Sequence, residues 1–390
     1  MHRSDELQMP VTAPTICPRC VMDTTAESVI IDADGCNYCK AYDAEIAALP
    51  KFQPDAEHQL EALIDDIKAR GRHARYDCLI GLSGGTDSSY VAYLTKKRFG
   101  LRPLAVHLDN GWNDELAMHN IEKIVRTLKL DLVTVVLNWR EFSSIQKAFL
   151  KASTPDCEIP TDHAIVAILQ QTARRFHIPT VIGGNNRVTE AIMPPEWSRG
   201  HSDWMYIRYV ATRFGDRKPR TFPHISLLQH LFNQRWSSIR TVKLLSYIDF
   251  NKSQVEGVLK EKFDWSPYQS KHYESVYTRF FQGYLLPEKF GFDKRKAHLS
   301  NLVCAKQISR TAALEILSEP ALDADEAEYL FEYVAEKFDL TQAELRQIVK
   351  LPPRRFEDYP SRYNNAAYRS ARAVYRRTLK PVLRTLRGRP

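Results

Sequence analysis

The chain has 390 residues, 44% hydrophobic and 26% charged, which excludes a fibrous or disordered protein and leaves material for two or three domains. No apolar run approaches the roughly 18 residues of a membrane span, and the opening MHRSDELQMP lacks the apolar stretch of a secretion signal, so a cytoplasmic enzyme is the expectation. The net charge of +8 does not imply a nucleic-acid-binding body. No acidic residue follows Asp358, nine Lys or Arg lie between Arg362 and Arg389, and without those nine the chain stands at about −1.

Seven cysteines are present, an odd number that argues against a disulfide framework. Cys17 and Cys20 form one C-x2-C pair, and Cys36 and Cys39 form another after fifteen intervening residues. Two close pairs suit tetrahedral zinc, with an iron–sulfur centre or redox pairs as alternatives. A set made only of cysteine leaves no open coordination position. The metal is therefore expected to be structural, holding a segment too short to bury its own core.

Residues 55–72 carry Leu60, Leu63, Ile64 and Ile67 at helical spacing. A strand is expected at Cys78–Leu82, followed by a turn and a helix. LRPLAVHLDNGW gives a second strand ending in Asp109 and Asn110, and DLVTVVL a third. A helix follows in DHAIVAILQQTARRFH, with Thr161 or Asp162 as its expected N-cap, and then IPTVIGGNN as a fourth strand. This alternation predicts an α/β fold with a parallel sheet covered on both faces. From about residue 222 the strands are expected to stop and helical spacing to take over. Thr341 and Glu344 form a capping-box signal within that second half.

The most informative turn is Ser83-Gly84-Gly85-Thr86-Asp87-Ser88-Ser89, between a strand and a helix. Glycines let backbone N–H groups approach a phosphate, the helix N-terminus favours an anion, and hydroxyls add donors. The lysine of a G-x4-GK[ST] loop is absent. The order S-G-G-x-D-S resembles the PP-loop of ATP pyrophosphatases, which implies ATP and Mg²⁺ and release of AMP and pyrophosphate. Ligands of open parallel sheets sit beyond the carboxyl ends of the strands. Asp109, Gly183, Gly184 and Asn185 end two further strands and are candidates for the nucleotide, with Asn186 beside them. Asp87 is a candidate for orienting the metal.

GWNDELAMHNI, PTDHAIVAI, GGNNRVTEAIMPPEW and the long WSPYQSKHYESVYTRFFQGYLLPEKFGFDKRKAHLSNLV together resemble the N-acetyl sugar amidotransferases of bacterial surface-polysaccharide (LPS and O-antigen) biosynthesis. The resemblance runs from the cysteine pairs to about residue 318. With the pattern along the chain, it predicts an N-terminal zinc ribbon over 1–50, a PP-loop domain over 51–221 and a mostly helical substrate or partner region over 222–350; the basic tail over 351–390 lies outside the resemblance. It also implies a chemistry. ATP adenylates the amide oxygen of a nucleotide-linked N-acetyl sugar, ammonia displaces AMP, and an acetamidino sugar results. A separate glutaminase and a cyclase-like subunit are the implied partners in ammonia supply, and no nucleic acid is expected.

Within the quoted motifs Lys271 is a candidate for steadying phosphate, and His272 or Glu274 for taking a proton from ammonia. Arg279, Lys294 and Arg295 are candidates for the sugar's diphosphate. Asp162 and Glu190 match the family's motifs at the substrate. Where the family has small residues after SNLV, this chain reads Cys304-Ala305-Lys306. The tail repeats Tyr368, Ala371, Tyr375, Leu379 and Val382 at helical spacing beside arginines, a pattern for peripheral contact with the inner face of a membrane or for a disordered end. Two rival readings are a PP-loop tRNA-thiolating enzyme, which needs a reactive cysteine, and a non-catalytic scaffold, which leaves the intact glycine turn unexplained.

Overall fold

A computed structural model describes residues 13–226, 229, 239–268, 273–366 and 368–370. The two cysteine pairs flank a short antiparallel hairpin, β1 (Ile31–Asp32) with β2 (Gly35–Cys36), and helix α1 (Asn37–Ala47) leaves directly from Cys36. Helix α2 (Ala56–Gly71) then buries the predicted face, Leu63, Ile64 and Ile67.

The sheet is parallel and five-stranded: β3 (Cys78–Gly81), β4 (Pro103–Asp109), β5 (Asp131–Val136), β6 (Thr180–Gly183) and β7 (Arg240–Lys243). Its order is β5-β4-β3-β6-β7, so the chain moves outward one way from β3 and then returns to β3's other side. The reversal falls between β3 and β6. Strand period 2 splits neighbouring residues between two layers. Leu79, Leu104, Val106 and Val181 join the core under α5 (Trp139–Ala152), α6 (Ile159–Arg175) and α8 (Trp204–Phe214). Ile80, Ala105 and Ile182 face α2, α3 (Thr86–Tyr93) and α4 (Glu115–Leu128). The fold is the doubly wound α/β expected, with a helical C-terminal region.

Two expectations are corrected. Strands do not stop at residue 222, because β7 adds an edge to the sheet at 240–243. Only Val242 of its four residues is buried, so the strand carries almost no hydrophobic pattern. Helix α6 also starts earlier than Thr161 or Asp162. It begins at Ile159, with Pro160 in its first turn, where a missing N–H costs nothing. The capping box at Thr341 and Glu344 is present. The helical spacing in ISLLQHLFNQRW and in the tail beyond Arg369 falls mainly outside the described residues.

The cysteine ribbon shares one core with the α5, α6 and α8 side of the body. Among the described residues, no helix is long and apolar enough to cross a membrane.

Candidate functional site

The SGG turn leaves β3 beside the point where strand order reverses, the place where open α/β sheets bind ligands. Gly84 takes a φ of +83°, and a Cβ there would lie 2.6 Å from the Ala117 carbonyl oxygen. Both facts demand glycine. The turn is then tied by hydroxyls. Ser88 Oγ accepts from the Ser83 amide at 3.2 Å and donates to the Gly85 carbonyl at 3.1 Å, and Ser83 Oγ accepts from the Gly85 amide at 3.3 Å. Gly85 occupies the N-cap of α3, and Asp87 sits in its first turn rather than capping it. Ser83 is exposed, Thr86, Asp87 and Ser88 are half-buried, and Ser89 is fully enclosed.

The loop after β6 closes the other side. Asn186 is fully buried; its Nδ2 donates to Asp87 Oδ1 at 3.2 Å, and its Oδ1 accepts the Val188 amide at 3.1 Å to cap α7 (Arg187–Glu190). Glu190 Oε2 accepts the Asn186 amide at 3.1 Å. Gly184 passes within van der Waals reach of Ser88, 3.7 Å from its nitrogen for an added Cβ. Gly183 lies against the Asn185 side chain. Asp109 Oδ1 accepts the Gly111 amide at 2.9 Å, an Asx turn that ends β4.

Several contributors are not among the candidate site residues, although Trp265 and Tyr268 open one of the quoted motifs. Trp265 Nε1 and Tyr268 OH donate to the Gly84 carbonyl at 2.9 and 3.3 Å, fixing the turn from 181 and 184 residues away. His107, mid-strand in β4, links Leu82 O at 3.0 Å through Nδ1 and Asn113 Nδ2 at 3.1 Å through Nε2. Asn113 can only donate there, so Nδ1 carries the proton and the ring is neutral, in keeping with burial lowering its pKa.

The segment after residue 272 reaches the turn directly. Val276 N donates to Trp112 O, and Asp114 N donates to Glu274 O at 3.1 Å. This pairing sets Glu274 beside the glycines. Its Oε1 is 3.5 Å from Ser83 Oγ and 3.1 Å from where a Gly85 Cβ would stand. Lys271 and His272 lie outside the described residues. Arg279 is engaged by Asp114 at 3.5 Å and Glu326 at 3.4 Å. Arg295 pairs with Asp293 at 2.7 Å and donates to the Glu319 carbonyl. Lys294 lies 5.9 Å from the Phe281 ring centre.

Lys294 also faces a charged cluster at the start of α6. His201 Nε2 is 3.1 Å from Asp156 Oδ2 and 3.3 Å from Asp162 Oδ2. The paired carboxylates outweigh burial and push His201 up to about 9, while Asp156, opposite His201, is held down at about 2 despite its burial. Glu158 accepts from Thr278 Oγ1 at 2.9 Å through Oε2, and its Oε1 is buried with no partner. Burial, followed by the Asp162 charge, pushes Glu158 up to about 8. Thr278, in the helix Val276–Phe280, joins Glu158 to the same segment of chain that carries Glu274.

The Sγ atoms of Cys17, Cys20, Cys36 and Cys39 lie within 4.8 Å of one another, and all four residues are buried. Contacts of 3.8, 3.8 and 3.6 Å match the roughly 3.8 Å edge of a tetrahedron with metal–sulfur bonds near 2.3 Å. The Arg19 and Cys20 amides point at Cys17 Sγ and the Met22 amide at Cys20 Sγ, each at 3.4 Å, as donors that offset thiolate charge. The set is compatible with a single zinc ion.

Comparison with known proteins adds to this geometry. Residues 59–156 match the NAD synthase family, and residues 274–374 match the family described as LPS biosynthesis protein WbpG-like, C-terminal domain. An uncharacterised protein of Methanocaldococcus jannaschii, MJ1599, is 27% identical over 144 residues, 36% of this chain. The match spans about half, 48%, of that relative's length. The structure of NMN synthetase from Francisella tularensis aligns at 14% identity and a TM-score of 0.32, over 77% of this chain and 98% of that one. NH3-dependent NAD synthetase from Campylobacter jejuni aligns at 18% identity and a TM-score of 0.28, over 54% of this chain and 94% of that one. The two family matches meet the glycine turn at one end and the Glu274 segment at the other, which is the combination the sequence motifs pointed to. The chain thus joins a nucleotide domain of the NAD synthase kind, with the PP-loop of an ATP-utilising enzyme, to a C-terminal domain that matches the WbpG-like family described for LPS biosynthesis.

Proposed function

We propose that this enzyme adenylates the N-acetyl amide oxygen of a nucleotide-linked sugar and replaces that oxygen with ammonia-derived nitrogen, giving an acetamidino sugar, AMP and pyrophosphate. The observation that carries the reading is the cradle in which Asn186, from the loop after β6, grips Asp87 of the SGG turn, with Glu274 against the same glycines.

The turn's amides and the first turn of α3 would receive the β- and γ-phosphates. Asp87 would hold the divalent cation, Mg²⁺, which supplies neutralisation of phosphate charge. Asn186 and Glu190 fix where the Asp87 carboxylate points. The α-phosphorus then faces the acceptor, whose amide oxygen displaces pyrophosphate. Ammonia adds to the activated carbon, gives up a proton, and the C–O bond to AMP breaks. Glu274 is our candidate to take that proton, with His272 beside it in sequence and Lys271 offered to phosphate. Arg279, Lys294, Arg295 and Asp162 are the proposed surroundings of the sugar. Arg295 and Arg279 already hold carboxylates, so diphosphate binding there would displace an ion pair. A glutaminase and a cyclase-like subunit are the proposed ammonia-supplying partners, and the inner face of the membrane is the proposed place of work.

The thiolation alternative needs an accessible nucleophilic cysteine. Cys78 and Cys157 are buried, and burial raises both thiols well above their ordinary range. Cys304 is partly exposed, but its Sγ contacts Cys39 of the four-cysteine set rather than the SGG turn. These placements weigh against it.

The test uses purified protein, Mg-ATP, ammonium at alkaline pH and a panel of nucleotide-linked N-acetyl sugars. AMP release should depend on one sugar, and mass spectrometry should show its oxygen exchanged for NH. Release of AMP with unmodified tRNA and a sulfur donor, but with no sugar, would transfer the assignment to thiolation.

A further inference from the structure

The four-cysteine set has a fifth thiol beside it. Cys304 ends the helix Arg295–Cys304, and its Sγ lies 3.8 Å from Cys39 Sγ, the spacing found within the set itself. Cys304 is partly exposed, whereas the other four are fully buried.

Packing fixes this approach. The Val21 amide donates to Ser300 Oγ at 3.2 Å, and Lys296 pairs with buried Asp23. Arg310 donates to the carbonyls of Cys17 and Cys20 at 2.9 and 3.0 Å. The helix, through Ser300 and Lys296, and Arg310 just beyond it are thus tied to the ribbon, which holds Cys304 beside Cys39.

Four thiolates complete a tetrahedral ion, so Cys304 is left outside the coordination shell, where its S–H can donate to the Cys39 sulfur. We propose that Cys304 is an oxidation site that governs metal retention. Peroxide reaches Cys304 and converts its thiol to the sulfenic acid, with release of water. The Cys39 sulfur attacks the Cys304 sulfur, the S–O bond breaks, and hydroxide leaves. The two electrons lost in forming the Cys39–Cys304 disulfide are those accepted by peroxide. Closing from 3.8 Å to a bond of about 2.05 Å requires less than 2 Å of movement. The ion, left with three thiolates, dissociates. Dithiothreitol reverses the bond.

The inference concerns the ribbon and stands whichever acceptor the enzyme uses. Its test follows metal rather than turnover. Full-length, metal-loaded protein is treated with hydrogen peroxide beside a chromogenic zinc chelator, for wild type, Cys304→Ser and Cys304→Ala. Wild type should lose metal several-fold faster than either variant, and peptide mapping of the oxidised wild type should find Cys39 joined to Cys304. Metal loss at one rate in all three proteins, or disulfides confined to Cys17, Cys20, Cys36 and Cys39, would overturn the proposal. The wild-type peptide map decides the matter even if a variant folds poorly.

Discussion

The fold opposes the charge of Glu158. One carboxylate oxygen is satisfied by Thr278, the other is buried without a partner, and Asp162 and Asp156 add negative charge from α6 and the loop before it, against the cations of Lys294 and His201. A carboxyl raised to about 8 in the fold prefers to be protonated there. The folded state then binds more protons than the unfolded state between the ordinary carboxyl range and pH 8, so Glu158 lowers stability as pH rises through that window. The Asp156–His201 pair acts differently. Its aspartate contribution is present above the ordinary carboxyl range and is lost as pH falls toward 2, and its histidine contribution is full below about pH 6.5 and is lost as pH rises through 9. Glu158→Gln removes only the first effect. Thermal melts at pH 5, 7 and 8.5 should show the variant gaining on wild type as pH rises, with the gap levelling above pH 8. A gap that does not change with pH would mean that Glu158 is ordinarily ionised in the fold.

The two loops that meet at the carboxyl edge act as one element. Asn186 has Asp87 on its amide nitrogen and the Val188 amide on its oxygen, so no atom of its head group is spare. Asn186→Ala should cost about 1–2 kcal/mol of stability, the worth of a cap and a buried hydrogen bond. Asn186→Asp keeps the size and the cap but sets a second carboxylate against Asp87, so by calorimetry it should bind Mg-ATP more weakly than the alanine variant, by about tenfold or more. Asn186→Asp binding nucleotide like wild type would break the assignment of Asp87 to the phosphate site. Gly84→Ala meets both a left-handed φ and the Ala117 carbonyl, and should lose the ordered turn at about 1–3 kcal/mol or more. Elements such as these differ in how far the sequence shows them. Strand β3 and the first half of β4, Pro103 to Val106, are apolar runs buried on both faces, and α2 repeats its leucines and isoleucines, so local pattern is enough. Strand β7 has one inward residue and offers no such pattern. The turn itself is visible in its glycines and hydroxyls, yet its supports are not. Trp265 and Tyr268 stand in a recognisable motif and His107 in a plain strand, but none of the three shows its bond to the turn, because that bond depends on contacts made across the chain.

At the scale of the molecule the ribbon is a mount for the nucleotide site. Tyr42 of α1 donates to the Val188 carbonyl at 3.0 Å, and Glu45 of the same helix pairs with Arg187 at 2.6 Å. From the other side Asn301 accepts the Ile192 amide at 2.9 Å and donates to the Ile192 carbonyl at 3.3 Å. Helix α1 and the helix Arg295–Cys304 therefore hold α7 between them, and α7 is the element that Asn186 caps while reaching Asp87. A metal that organises Cys36 and Cys39 fixes the start of α1, since Cys36 is its N-cap residue and Cys39 lies in its first turn. Removing that metal frees one of the two supports of α7. Chelation should therefore weaken Mg-ATP binding as well as lower the melting temperature, although the ribbon itself touches no part of the SGG turn among the described contacts. Tyr42→Phe isolates the link, because it removes one hydrogen bond of about 1 kcal/mol and leaves the cysteines in place. The variant should bind metal like wild type and nucleotide more weakly, by up to about fivefold. Unchanged nucleotide affinity in both the chelated protein and the tyrosine variant would reduce the ribbon to a stabilising module with no part in shaping the site.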